Sequence, residues 1–141
     1  MTRLRLTATL SAAAVLVSAP ALSEGAPGAS SLHGVWRNPK NSVHVKIEPC
    51  GPNACGTVVW ANDKARADAR EGSGRELIGQ QLFRNFAPEK GGGWRGKVFV
   101  PDLNATFTGA AQLIDANSLR ARGCLFAGIG CKSQVWKRVE G

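Results

Sequence analysis

Turn chemistry interrupts this chain so often that few folds remain open to it. Asn38-Pro39-Lys40-Asn41, Gly51-Pro52-Asn53-Ala54, residues 88–93, residues 101–104 and Asp115-Ala116-Asn117-Ser118 are each rich in the residues that reverse a backbone cheaply. The segments between them are short and strand-like: 32–37, 43–50, 56–60, 80–86, 94–100, 105–114, 119–124 and 133–139. The clearest is 43–50, where Val43, Val45 and Ile47 alternate with His44, Lys46 and Glu48, the period of a half-buried strand. In 105–114, Phe107, Ala111 and Leu113 share one face. Residues 61–79 differ, with Asp63, Lys64, Arg66, Asp68, Arg70, Glu71, Arg75 and Glu76 among glycines. They read mainly as a long surface loop, with a turn or two of helix around 65–70. Short strands joined by hairpin-length turns imply an all-β antiparallel meander. Eight of them can close into a small barrel, which removes exposed edges and is filled by its own side chains or holds one small ligand. A β-sandwich is the alternative.

The N-terminal residues read as an address. Arg3 and Arg5 precede an apolar run over 6–17, then Pro20, with small residues that permit cleavage after Ala21 or Ser23. This is the tripartite secretory pattern, assigned to residues 1–23, and the run is shorter than the ~20 residues a spanning helix needs. No cysteine lies there to take a lipid, and no Arg-Arg pair marks the twin-arginine route. A disordered leader over 24–31 and one domain over 32–141 follow. The expected location is periplasmic or secreted after Sec-type cleavage, without a membrane span. The formal charge is +8, two less without Arg3 and Arg5. A basic domain is drawn to anionic surfaces such as an envelope. Nucleic acid does not fit an exported chain without an aromatic-basic signature.

Cys50, Cys55, Cys124 and Cys131 all lie beyond the signal. An even count in a small exported domain reads as disulfides. Three pairings are possible, and Cys50–Cys55 with Cys124–Cys131 is the most natural. The first pair would face across the four-residue loop Gly51 to Ala54, and the second would pin a glycine-containing loop over 125–130. Zinc is disfavoured by the spacing and by an oxidising compartment. A redox pair is disfavoured by the absence of Cys-x-x-Cys.

Gly34-Val35-Trp36, Cys55-Gly56-Thr57-Val58-Val59-Trp60, Asp68-Ala69-Arg70, Leu77-Ile78-Gly79, residues 94–102, Gly123-Cys124, Cys131-Lys132-Ser133-Gln134-Val135-Trp136 and Arg138 form an ordered series. Across about residues 32–139 it resembles the bacterial exported family catalogued as domain of unknown function 2147. The resemblance implies a fold similar to the calycins, the superfamily of lipocalins and fatty-acid-binding proteins. It further implies that Trp36 on the first strand and Arg138 near the last form a barrel-closing pair, a contact of ~0.5–2 kcal/mol. Many members carry tyrosines around the sixth strand. Val100-Pro101-Asp102 and Phe107 stand there instead, so no tyrosyl role carries over.

No nucleophile elbow, phosphate loop or His-Glu-x-x-His motif is present. The histidines are His33 and His44, and His44 should face outward. No catalytic residue, metal or cofactor is therefore assigned. Trp60, Phe86, Trp94, Phe107 and Trp136 are the possible ligand-lining residues. Asp63, Asp68, Arg70 and Arg75 mark the long segment as a possible functional loop. The first functional reading is a non-catalytic binding module for a small apolar or amphipathic ligand. The alternatives are a basic envelope-interaction protein and, third, a hydrolase using carboxylates of the long segment.

Overall fold

A computed structural model describes residues 18, 19, 29–126 and 129–140. The signal sequence and its cleavage region lie almost entirely outside the described residues. Eight antiparallel strands close into one meander barrel in chain order: β1 (Gly34–Arg37), β2 (Val43–Cys50), β3 (Asn53–Ala61), β4 (Gln81–Pro88), β5 (Trp94–Val100), β6 (Ala105–Asp115), β7 (Ser118–Phe126) and β8 (Ile129–Glu140). Closure is completed by β1 pairing with β8, Trp36 opposite Arg138. This is the eight-stranded, calycin-like barrel the periodicity and the family resemblance imply, rather than the sandwich.

The barrel has two unlike ends, because a meander places alternate connections at opposite ends. The connections after β2, β4 and β6 share one end with a 3₁₀ turn, η1 (Ala29–Leu32). Leu32 is buried, and residues 29–31 of this turn fall in the segment read as leader. The connections after β1, β3, β5 and β7 occupy the other end. They include α1 (Asp63–Ser73) and a second 3₁₀ turn, η2 (Pro101–Leu103).

Helix α1 corrects the expectation of a long loop over 61–79. Its stop signals are local. Asn62 is the N-cap, its side chain accepting from the Ala65 amide, and Asp63 occupies the first turn. Gly74 adopts the left-handed conformation at φ 72° and donates its N–H to the Arg70 carbonyl, which ends the helix. Lys64 and Asp68 pair at i,i+4. Arg66 and Arg70 both hold Glu76 beyond the helix. A Cβ on Gly72 would overlap the Asp102 backbone, so the absence of a side chain lets α1 lie directly on η2.

Both local disulfides are present, Cys50–Cys55 and Cys124–Cys131. The first does not join opposed residues: Cys50 faces Asn53 and Cys55 faces Glu48 across a two-residue turn at Gly51-Pro52. The four-residue loop is therefore shorter than expected. The second joins residues directly opposed in register, with Cα atoms 4.0 Å apart. Strands β7 and β8 extend past it on both sides, into what was read as a loop, and residues 127–128 at its tip lie outside the described residues.

Candidate functional site

Side-chain size divides the interior. Part of the barrel is filled: Trp36, Trp94, Val45 and Val58 are essentially inaccessible. The Trp36 indole N–H donates to the Leu32 carbonyl at 2.8 Å. Arg138 lies 4.2 Å over the Trp36 ring. Its guanidinium donates to the carbonyls of Ala116, His33 and Ser31. One side chain thus joins β8, the β6–β7 turn and the segment before β1, and satisfies three backbone acceptors that would otherwise need water. The two residues named as a barrel-closing pair are thus in contact where β1 meets β8.

Toward α1 the interior opens into a cavity of about 880 Å³, within the ~300–1,000 Å³ typical of small-molecule sites. Its base is aromatic. Phe83 meets Phe86 and Trp136 edge-on, with centroids 5.7 and 5.4 Å apart, and all three line the cavity with Phe107 and Val98. The wall formed by β6 and β7 is made of small residues. Gly109 faces Gly123 and Ala111 faces Ala121. These two glycines do different work. A Cβ on Gly109 would collide with Val98 and press on Phe86, whereas one on Gly123 would meet nothing within 4 Å. Gly109 permits packing; Gly123 leaves space.

The mouth is polar, and the β1–β2 turn, α1 and η2 all contribute to it. Asn38, Pro39 and Lys40 come from the β1–β2 turn, Lys64 and Asp68 from α1, and Asp102 and Leu103 from η2. From β8 come Lys132 and Gln134. The charged residues bordering the cavity are Lys40, Lys64, Arg122 and Lys132 against Asp68 and Asp102. Lys64 bonds Asp68 at 2.6 Å, and that hydrogen bond, with the Asp68 charge and then those of Asp102 and Glu71, holds its ammonium above the usual lysine range.

The sequence-selected residues divide accordingly. Phe86, Phe107 and Trp136 line the cavity. Trp94 is buried in the filled half and does not line it; among the described residues its indole N–H has no partner. Trp60 is misplaced by the reading: it lies on the outer surface, 42 % exposed, with its ring 4.6 Å from that of His44. A bulge is responsible. Val45 faces Val58 but His44 faces Trp60, so one residue of β3 is unpaired and the inward-outward order reverses beyond it. His44 faces outward as expected, and partial burial, then the Arg37 charge, hold its imidazole below the ordinary histidine value.

Of Asp63, Asp68, Arg70 and Arg75, only Asp68 borders the cavity. Asp63 starts α1, Arg70 clamps Glu76, and Arg75 is exposed just past the cap. Asp63 and Asp68, five apart on one helix, are not brought together as an acid-base pair. The four cysteines are all in disulfides, so none is available as a thiolate for metal or redox work. Lys132 and Gln134 were missed as lining residues. Counting back from the inward Trp136 by twos along β8 finds both.

Among the described residues, no helix is long and apolar enough to cross a membrane. No curated protein and no solved structure matches the chain. A family model described as "Uncharacterized protein conserved in bacteria (DUF2147)" matches residues 34–138, which run from the first residue of β1 to the arginine that closes the barrel. The chain belongs to that bacterial family, domain of unknown function 2147.

Proposed function

We propose that this protein is an exported, non-catalytic binding module that holds a small apolar or amphipathic ligand inside its barrel. The carrying observation is the unfilled half of the interior, a cavity of about 880 Å³ with an aromatic base. Small barrels ordinarily fill their interiors with side chains, and empty apolar volume forfeits dispersion contacts. Here Gly123, Ala121 and Ala111 occupy positions where larger residues would close the space at no steric cost for at least one of them. Two disulfides support an oxidising compartment. That agrees with a secretory signal over 1–23, a leader over 24–31 and a mature domain over 32–141.

Native mass spectrometry of protein purified from bacterial periplasm tests the whole reading. The expected result is a mature chain starting after Ala21 or Ser23 with a non-covalent small-molecule adduct that dissociates on denaturation. A mature chain free of adduct, with no affinity for a panel of apolar and amphipathic compounds, would remove the binding reading. An intact N-terminus would remove the export reading.

A further inference from the structure

The inner face of β8 holds a sequence of side chains that a purely apolar pocket does not need. Trp136, Gln134 and Lys132 follow one another at a spacing of two, so they share a face, and all three line the cavity. Across the sheet they face Leu119, Ala121 and Gly123 in turn. As β8 rises toward the mouth its own residues become more polar and their β7 partners become smaller. Lys132 therefore sits beside open space, since nothing among the described residues lies within 4 Å of where a Gly123 side chain would begin.

An inward lysine is costly if buried unpaired, and useful if its ammonium meets an anion at a wet mouth while its stem covers apolar surface. Among the described residues no carboxylate pairs with Lys132, and Asp68 is taken by Lys64. Cations bordering the cavity outnumber carboxylates four to two. A cationic head would be repelled there, and a neutral one would leave Lys132 without a partner.

We infer that the cavity selects a single-chain amphiphile with an anionic head, the head held at the mouth by Lys132 with Gln134 beside it and the chain directed toward Phe83, Phe86 and Trp136. This rests on the cavity being a ligand site. Lys132 is exposed, so water and salt screen the contact and its effect is moderate.

The test is a titration of the mature protein with decanoate, decanol and decyltrimethylammonium, followed by tryptophan emission and calorimetry. Decanoate should bind about tenfold more tightly than decanol, the scale of one hydrogen bond to a charged group, and the cationic amphiphile most weakly. Lys132→Gln should weaken decanoate more than decanol and so shrink the preference for decanoate to about twofold or less, and Lys132→Arg should keep it. Three results overturn the inference. Wild type could bind decanol as tightly as decanoate, or Lys132→Gln could keep the full preference, or it could weaken all three amphiphiles equally. In each case the cavity reading stands. Failure of wild type to bind any of the three overturns both.

Discussion

At one end of the barrel Arg138 covers Trp36 and bonds three backbone carbonyls; at the other, a helix, a lysine and a side-chain-free glycine surround open space. The same β6–β7 pair runs through both ends, so the difference lies in the side chains and the connections, not in the sheet. At the filled end Arg138 satisfies three backbone carbonyls and covers Trp36, which gives stability. The open end leaves cations and volume for something else, and lacks the dispersion contacts that filling would supply. A small domain can sustain such a void only if the rest of its core is tight.

Breaking the filled end should have the largest effect. Trp36→Ala removes a fully buried indole and the surface beneath Arg138. A loss of about 3–5 kcal/mol is expected from denaturant midpoints, and a loss below 1 kcal/mol would mean that η1 and Arg138 collapse onto the gap. Next is the Cys124–Cys131 bridge. Replacing both cysteines by alanine should cost roughly 2 kcal/mol through the loop it closes, measured in the same way.

The facing glycines then sharpen the contrast. Gly109→Ala should destabilise by about 1–3 kcal/mol, because the new methyl strikes Val98 and Phe86. Gly123→Leu should cost less than about 1 kcal/mol, since its space is empty and glycine is a weak strand former. Only Gly123→Leu should abolish decanoate binding while the protein remains folded. Equal losses of stability from the two substitutions would show that the cavity closes in solution.

Much of this division could be read from residues, and some could not. The strands were legible because Val43, Val45 and Ile47 alternate cleanly and the turns between strands carry glycine, proline and asparagine. The closing pair came through the family resemblance. Helix α1 was obscured because its only buried residue is Ala69, so no apolar stripe announces it; its caps, Asn62 and Gly74, were the available signal. Trp60 was lost to the β3 bulge, since alternation from the buried Val58 places it inside. Asn85 likewise holds a positive φ in β4, and Phe83 and Phe86, three apart, both line the interior. Phe86, Phe107 and Trp136 were legible as lining residues, but the size of the cavity was not. It depends on how much volume residues from different strands leave unfilled, which no single segment records.

The smallest expected effect concerns what holds α1 over the open end. Arg66 and Arg70 donate to Glu76 at 2.8 and 2.6 Å, fastening the helix to the segment that leads into β4. These two hydrogen bonds lower the Glu76 carboxyl from an ordinary 4.5 to about 2. The folded state therefore binds this proton less readily than the unfolded chain. The contribution of the clamp is fully present above about pH 4.5 and is lost as pH falls through about 2. Glu76→Gln removes the charge at every pH. The wild type should exceed the variant in denaturant midpoint at pH 6, and the gap should narrow steadily as pH falls from 4.5 toward 2. The group is exposed, so the gap itself is small and should shrink further in high salt. Amide exchange in α1 should rise in the variant while that of β1 and β8, beside Trp36 and Arg138, stays the same. Equal acceleration at both ends would mean that the helix and the barrel open as one unit, and that the open end has no independent motion through which to admit a ligand.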